Sequence, residues 1–165
     1  MKGFKRVGRG QRAADRKVGS GQQAVGRTVG SGQLAAGRKA LVAAARKART
    51  NARADYSEFK VGAALETADG TIITGCNIEN ATYGLTLCAE RVAMFKAISE
   101  GHRTFRRIAV VADTDDPTPP CGPCRQILWE FGGDLEVILA NLTREIGSHR
   151  LSVLFPLPFD ARLLK

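Results

Sequence analysis

Two short cysteine-containing segments constrain the fold of this chain more than any other feature. The first reads Thr-Leu-Cys-Ala-Glu-Arg from residue 86, and the second reads Pro-Cys-Gly-Pro-Cys from residue 120. Together they contain Cys88, Cys121 and Cys124, and each segment leads into a sequence that is typical of a helix. Helix N-termini favour the anionic form of cysteine, which is the form that binds metal ions. The pattern therefore predicts one metal site at the starts of two helices.

The number of these cysteines indicates a catalytic zinc site. A structural zinc site usually closes with four protein ligands, whereas a catalytic site keeps three and leaves the fourth position to water. Glu90 lies two residues after Cys88, so its carboxylate can approach the open position as a proton carrier without binding the metal. An acidic residue in the first turn of a helix is also favourable for stability alone, and this simpler role is the alternative for Glu90.

A cation beside the sulfur ligands is expected to support the chemistry. Three thiolates on one divalent ion leave a net negative charge, which weakens the pull of the metal on bound water. Arg91 and Arg125 both lie next to the cysteine motifs. We expect Arg91, rather than Arg125, to donate to a ligand sulfur.

Length and composition limit the class of protein. A chain of 165 residues with 44% hydrophobic residues can form one domain with a proper core. No apolar run approaches the roughly 18 residues that a membrane-spanning helix needs, and the N-terminus lacks the apolar block of a secretory signal. We therefore expect no membrane association and a cytoplasmic location. In that reducing setting, cysteines at these spacings indicate metal or catalytic groups before disulfides.

Residues 1–37 form a basic, glycine-rich repeat. Arg16–Gly26 is followed directly by the similar Arg27–Gly37, with a period of 11 residues. Residues 1–38 hold nine of the 25 Lys and Arg against the single acid Asp15, which accounts for nearly all of the net charge of +9. With few large apolar side chains to offset chain entropy, this tail is predicted to be disordered. An RNA-binding arm and a targeting peptide are the alternatives, and nucleic acid is expected to bind only through this tail.

Residues 38–165 are expected to form an α/β domain. Asp69-Gly70 between two β-type runs is a strong hairpin signal, and strands alternate with helices after it. The pattern predicts a three-layer α/β/α domain around a mixed sheet of about five strands. The predicted helices are Lys39–Arg53, Glu90–Glu100 and one from the second cysteine segment to about Phe131, and the predicted strands are Phe59–Leu65, Thr71–Cys76, Arg107–Asp113 and Glu136–Ala140. Near the C-terminus, Arg150–Phe155 fits either a fifth strand or a short helix.

Four motifs follow one another in the order seen in a known enzyme family. They are Phe59-x-Val-Gly-Ala-Ala, Gly75-Cys-Asn-Ile-Glu-Asn, Cys88-Ala-Glu-Arg and Pro120-Cys-Gly-x-Cys-Arg-Gln. The stretch from Tyr56 to about Leu142 thereby resembles the cytidine deaminases of the small, three-cysteine, homotetrameric type, whose signature pairs a C-A-E segment with P-C-x-x-C. The resemblance implies one zinc ion per subunit and the hydrolytic deamination of cytidine and 2'-deoxycytidine to uridine and 2'-deoxyuridine in pyrimidine salvage. In that reaction zinc hydroxide attacks C4 of the base while Glu90 shuttles protons.

The resemblance also implies substrate contacts and an assembly. Asn77 and Glu79 would hold the ribose hydroxyls, Phe59 would pack on the base, and the backbone of Ala89 would orient the pyrimidine. A homotetramer with shared active sites is implied as well. In it, an aromatic side chain near the C-terminus reaches into a neighbouring subunit's site, and Phe159 is the candidate.

Several residues fall outside this pattern. Asp55 stands where a proline often precedes Tyr-Ser, Pro158 is atypical beside the C-terminal aromatic, and the repeat tail has no counterpart in the family. Cys76 matches a position that is not a ligand, and we expect it to be buried packing. His102 and His149 are expected to be surface residues and not zinc ligands.

Three alternatives use the same residues differently. Cys-Gly-Pro-Cys has the spacing of a thioredoxin-like redox pair, although that function leaves Cys88, Glu90 and the Asn-Ile-Glu-Asn loop without a role. A base in RNA or DNA could be the substrate, although contacts at the ribose end leave little room for a continuing chain. A structural zinc site would need a fourth protein ligand. Among nucleosides, an aminopyrimidine such as blasticidin S is an alternative to cytidine and 2'-deoxycytidine.

Overall fold

The computed structural model describes residues 31–164, with side chains from residue 37 onward, and its central element is a mixed sheet. In chain order the strands are β1 (Val61–Thr67), β2 (Ile72–Cys76), β3 (Phe105–Ala112), β4 (Glu136–Ala140) and β5 (Glu145–Arg150). Their order across the sheet is β2-β1-β3-β4-β5. The pair β3 and β4 is parallel, and the other neighbouring pairs are antiparallel. The predicted mixed sheet of about five strands is confirmed.

Helices cover both faces of this sheet. They are α1 (Ser31–Arg49), α2 (Ala89–Ser99), α3 (Gly122–Gly132) and the short α4 (Leu151–Leu154), with 3-10 turns at Tyr83–Leu85 and Ala161–Leu164. On one face, Leu41 of α1 packs in a core cluster with Ala109 and Ile138, whereas Ala93 of α2 and Leu128 of α3 pack in a second cluster on the other face. Because both faces are covered, β1 and β3 are buried along almost their whole length, and most of their residues are apolar. The predicted three-layer α/β/α architecture is confirmed.

The first helix differs from its prediction at both ends. It begins at Ser31, eight residues before the expected Lys39, and it ends at Arg49 instead of Arg53. The Gln-Leu-Ala-Ala sequence before residue 37 has high helix propensity, which outweighs its neighbouring glycines. The expected boundary between tail and domain at residue 37 therefore lies inside a helix. Most of the predicted disordered tail, residues 1–30, lies outside the described residues.

Local sequence signals predicted the hairpin more accurately than the C-terminal strand. Gly70 has φ +93° in the turn between β1 and β2, as the Asp-Gly prediction requires. The fifth strand is β5, which ends where the segment Arg150–Phe155 begins. That segment contains α4, so the short-helix alternative for it is confirmed and the strand alternative is wrong. As an edge strand, β5 is only partly buried, so its sequence lacks the apolar alternation that predicts a strand.

The register of the sheet brings several loops to one edge. Gly62 at the start of β1 pairs with Cys76 at the end of β2, and Val61 pairs with Ala112 at the end of β3. The loops that follow β2 and β3 therefore meet beside the segment that enters β1. Among the helices of the described part of the chain, none has both the length and the apolar character needed to cross a membrane.

Candidate metal centre and substrate cavity

Three cysteine sulfurs meet at the edge of the sheet where these loops converge. Cys88 immediately precedes α2, Cys121 immediately precedes α3, and Cys124 lies in the first turn of α3. Their Sγ atoms all lie within 4.8 Å of one another, and those of Cys88 and Cys121 are 3.7 Å apart. A tetrahedral zinc ion with bonds of about 2.3 Å to sulfur places two sulfurs about 3.8 Å apart. The cluster therefore fits zinc, with no fourth His, Cys, Asp or Glu ligand among the described residues.

The protons on these sulfurs are coupled. A hydrogen bond with Cys124, together with one from Arg91, lowers the pKa of Cys88 to about 5 despite partial burial. The pKa of Cys124 is raised, because its proton is held by the Cys88 thiolate and because the side chain is buried. A metal ion binds cysteine as the thiolate, so its binding would displace the protons that remain on these sulfurs.

Two arginines flank the cluster and contact different groups. Arg91 donates from Nη2 to the carbonyl of Thr86 at 2.7 Å and, over 3.8 Å, to the sulfur of Cys88. Its buried Nε has no hydrogen-bond partner among the residues that the structure describes. Arg125 donates to the carbonyls of Pro120 and Leu154 at 2.7 and 2.6 Å. Arg91 therefore contacts a sulfur, whereas Arg125 holds the loop before α3 and the end of α4.

Glu90 lies in the first turn of α2 with only 4% of its surface exposed. Burial raises the pKa of its carboxyl to about 7, and the negative charge of Cys88 acts in the same direction. Its own backbone N–H and the Cys124 thiol oppose that shift in part. Glu90 thus has the proton affinity of a group that both accepts and donates near neutral pH.

A cavity of about 270 Å³ opens beside Glu90 and the sulfurs. Most of the residues predicted for the site line it: Phe59, Asn77, Glu79, Cys88, Ala89, Glu90 and Cys121. Cys124 is fully buried next to the cavity, within the sulfur cluster. The cavity therefore joins the candidate metal site to the residues expected at the sugar and base.

Asn77 and Glu79 are held in place by the segment that enters β1. The side chain of Asn77 accepts a hydrogen bond from the N–H of Val61 and donates one to the carbonyl of Phe59, both at 2.8 Å. The carboxylate of Glu79 accepts hydrogen bonds from the backbone N–H groups of Tyr56 and Ser57 and from the Ser57 hydroxyl. Both side chains are therefore fixed in orientation at the cavity wall.

Other predicted positions lie outside the cavity. Phe159 is 54% exposed and does not line the cavity of its own chain. Cys76 is outside the sulfur cluster, as expected, but it is half-buried instead of buried. His149 is exposed, and His102 is half-buried; neither belongs to the cluster.

Several residues that line the cavity were not predicted from the sequence. These are Ser57, Val61, Thr86, Leu87, Val110, Thr118 and Pro119. Two signals were present in the sequence: Val61 follows Phe59 by the two-residue spacing of one strand face, and Pro119 directly precedes the second cysteine motif. Thr86 and Leu87 also directly precede Cys88 in the first cysteine segment. Ser57, Val110 and Thr118 depend on which segments meet in the folded chain.

Known proteins match this chain over the region that contains the sulfur cluster and the cavity. The family model for the cytidine and deoxycytidylate deaminase zinc-binding region matches residues 36–140. The chain belongs to this family. It is 52% identical over 121 residues to a cytidine deaminase of Sporosarcina psychrophila, covering 73% of this chain and 89% of the relative. A cytidine deaminase of Halalkalibacterium halodurans is 53% identical over 122 residues, covering 73% and 92%.

Solved structures of the cytidine and deoxycytidylate deaminase family share this fold. The crystal structure of cytidine deaminase from Burkholderia pseudomallei has a TM-score of 0.71 and 49% identity, and the match covers 73% of this chain and 98% of that one. The family membership predicted from the four motifs is confirmed. The grouping of Cys121 and Cys124 with Cys88 also separates this deaminase-family site from a two-cysteine redox motif.

Proposed function

We propose that this protein is a zinc-dependent cytidine deaminase that converts cytidine and 2'-deoxycytidine to uridine and 2'-deoxyuridine. One observation carries the proposal: a single cavity is lined by the sulfurs of Cys88 and Cys121, the buried carboxylate of Glu90, and the fixed polar groups of Asn77 and Glu79. The reactive groups and the groups suited to a sugar thus face one volume of nucleoside size.

The charges of the cavity support a free nucleoside as the substrate. Among the described residues that line the cavity there is no Lys or Arg, and two of the lining side chains, Glu79 and Glu90, are carboxylic acids. A phosphate group at this site would face the carboxylate of Glu79 without a cation to pair with. This argues against a nucleotide or a base within a nucleic acid strand.

The proposed chemistry divides between the metal and the chain. Zinc, held by Cys88, Cys121 and Cys124, would supply the Lewis acidity that lets water ionise near neutral pH. Glu90 takes a proton from the attacking water and delivers it to the ring nitrogen beside C4, then carries a second proton to the departing amino group. The water oxygen bonds to C4, the C–N bond breaks, and ammonia leaves.

The remaining site residues have supporting roles in this proposal. Phe59 packs on the base, the backbone of Ala89 orients it, and Asn77 and Glu79 hold the ribose hydroxyls. Arg91 offsets part of the negative charge of the three thiolates, and its contact with the Cys88 sulfur supports that role.

We further propose one zinc ion per subunit and a homotetramer in which Phe159 enters a neighbouring subunit's cavity. Phe159 is exposed and outside its own cavity, and further large apolar side chains are also exposed at Tyr83, Leu85, Val153 and Leu157. Exposed apolar surface of this kind is typical of interfaces between subunits. The enzyme is expected to act in pyrimidine salvage in the cytoplasm, and its four unpaired cysteines suit a reducing compartment.

The basic tail is proposed to be dispensable for this chemistry. A truncation that removes residues 1–30 keeps α1 intact, whereas removal of residues 1–37 would cut into it. Unchanged turnover of free cytidine by the shorter truncation supports a nucleoside enzyme. A loss of turnover that tracks the tail would favour the alternative of a nucleic acid substrate.

An ultraviolet assay of cytidine conversion, paired with Glu90→Ala, tests the proposed function. We expect the purified protein to bind zinc and produce uridine, and Glu90→Ala to keep its zinc but lose at least about 10³-fold in turnover. 2'-Deoxycytidine and blasticidin S serve as parallel substrates. A folded, zinc-loaded protein that deaminates neither cytidine nor 2'-deoxycytidine would overturn the assignment.

A further inference from the structure

The carboxylate of Glu79 is held by a turn that the motifs do not include. Tyr56 donates its backbone N–H to Oε2 at 2.8 Å, Ser57 donates its N–H to the same oxygen at 3.1 Å, and the Ser57 hydroxyl bonds to Oε1. A carboxylate offers about four lone-pair positions, so three are used within the protein. Oε1 keeps a free position for a ligand at the cavity wall.

The direction of the Ser57 hydroxyl is fixed by a second bond. The backbone N–H of Phe59 donates to Ser57 Oγ at 3.0 Å. A hydroxyl has one hydrogen, and Glu79 is a pure acceptor when ionised, so that hydrogen must go to Glu79. The bonds form a chain from the Phe59 amide through Ser57 to the Glu79 carboxylate. The hydrogen bond from the Ser57 hydroxyl is also the largest contribution to the lowered pKa of Glu79. The lowered pKa keeps the carboxylate ionised and therefore an acceptor.

The backbone of the turn is arranged to make this chain possible. Glu58 has φ +58°, a backbone conformation that residues other than glycine seldom adopt. Its N–H bonds to the carbonyl of Ala54 at 2.9 Å, closing the turn. This reversal brings the Phe59 N–H back over the hydroxyl of Ser57. Backbone strain of this kind tends to persist where the surrounding contacts require it.

We propose that Ser57 is a positioning residue that couples the base-packing Phe59 to the sugar-binding Glu79. This inference rests on the proposed cytidine deaminase activity. Ser57 lines the cavity, but its hydroxyl is committed to Phe59 and Glu79, so it acts on the substrate through them. Its loss removes the bond that positions Oε1 of Glu79, while the two backbone bonds to Oε2 remain, and it takes away the acceptor of the Phe59 N–H. The penalty should fall on binding of the ribose and spare the proton transfers at Glu90.

A substrate pair separates this role from a merely structural one. Ser57→Ala is expected to raise KM for cytidine about tenfold, the scale of one hydrogen bond to a charged group, with kcat changed less than about threefold. 2',3'-Dideoxycytidine lacks the ribose hydroxyls that would donate hydrogen bonds to Glu79. For this substrate the same variant should change KM less than about twofold. Ser57→Thr retains the hydroxyl and should restore KM for cytidine. Because KM does not depend on the folded fraction, partial unfolding of Ser57→Ala would not obscure the result.

Two further variants complete the test. Ser57→Ala combined with Glu79→Gln should raise KM little more than Glu79→Gln alone, since Ser57 acts through that carboxylate. Ser99→Ala, which removes a hydroxyl bound to the carbonyl of Lys96 at the far end of α2, is the matched control and should leave both substrates unaffected. If Ser57→Ala raised KM equally for cytidine and 2',3'-dideoxycytidine, the positioning role of Ser57 would be overturned, whereas the proposed function would stand. A wild-type protein inactive on cytidine would overturn the proposed function and this inference together.

Discussion

The side-chain oxygen of Asn77 accepts a hydrogen bond from the backbone N–H of Val61 at 2.8 Å. This bond joins the loop after β2 to the first residue of β1, and the Asn77 amide completes the link by donating to the carbonyl of Phe59. A residue expected to bind ribose therefore also holds the cavity wall together. Only 8% of Asn77 is exposed, so its loss has a structural cost as well as a catalytic one.

Asn77→Asp tests that structural link. The substitution replaces the donating amide with an oxygen that faces the Phe59 carbonyl, and we expect the free energy of unfolding at pH 7 to fall by about 1–3 kcal/mol. Urea denaturation measures the change. Asn80→Asp is the matched control, because Asn80 is exposed and uses its side-chain oxygen to accept from the N–H of Thr82. If the two substitutions lowered the free energy of unfolding equally, the structural link through Asn77 would be contradicted.

Gly75→Ala tests the close packing of β2 against the helix that carries Cys88 and Glu90. A Cβ at Gly75 would lie 2.5 Å from the carbonyl oxygen of Ala89 and 2.5 Å from the amide nitrogen of Ala93. Overpacking of this kind typically costs about 1–3 kcal/mol, and it would move the start of α2 away from the sheet. We expect lower thermal stability and weaker zinc retention, measured by calorimetry and by metal analysis after dialysis. At Gly84 an added Cβ meets nothing within 4 Å, so Gly84→Ala should match wild type in both measurements.

Cys121→Ser and Cys76→Ser distinguish a proposed zinc ligand from a cysteine outside the metal site. Cys121 belongs to the sulfur cluster, whereas Cys76 lies outside it at the end of β2. We expect Cys121→Ser to lose most of its zinc and its deaminase activity, because serine is a poor ligand beside two thiolates. Cys76→Ser should retain the full zinc content, measured by atomic emission on purified protein. Full zinc occupancy in Cys121→Ser would refute the ligand set.

Arg91→Ala tests the cation beside the sulfurs. Its removal leaves the negative charge of the thiolates less compensated, so water at the site ionises less readily. We expect kcat/KM to fall about tenfold at pH 7 and the acidic limb of its pH profile to move to higher pH. Arg103→Ala is the control, since within residues 37–164 the bonds of Arg103 go to the carbonyls of Ile98 and His102 around the C-terminal end of α2. An Arg91→Ala variant with full zinc content and an unchanged pH profile would remove Arg91 from the proposal.

The fold was largely readable from local patterns. Asp69-Gly70 predicted the hairpin, and the strand predicted over Glu136–Ala140 agrees with β4 in both bounds. The predicted start of α1 was wrong, and β5 was not predicted at its observed position. The short-helix alternative for Arg150–Phe155 was confirmed by α4. Glycines in the repeat masked the helix propensity around residue 34, and an exposed edge strand carries little hydrophobic pattern.

The sequence by itself determined the family of the chain, and it predicted the chemistry that is proposed for the candidate site. The spacing of Cys121 and Cys124 and the position of Glu90 beside Cys88 are local properties, because one helix turn suffices to place a carboxylate near a sulfur. Only the tertiary structure decided that Ser57 reaches Glu79 and that Arg91 contacts the Cys88 sulfur while Arg125 turns to backbone carbonyls. The first of these contacts joins residues 22 positions apart through the pairing of β1 with β2. A hydrogen bond between such segments depends on strand register and loop direction, which no short stretch of sequence encodes.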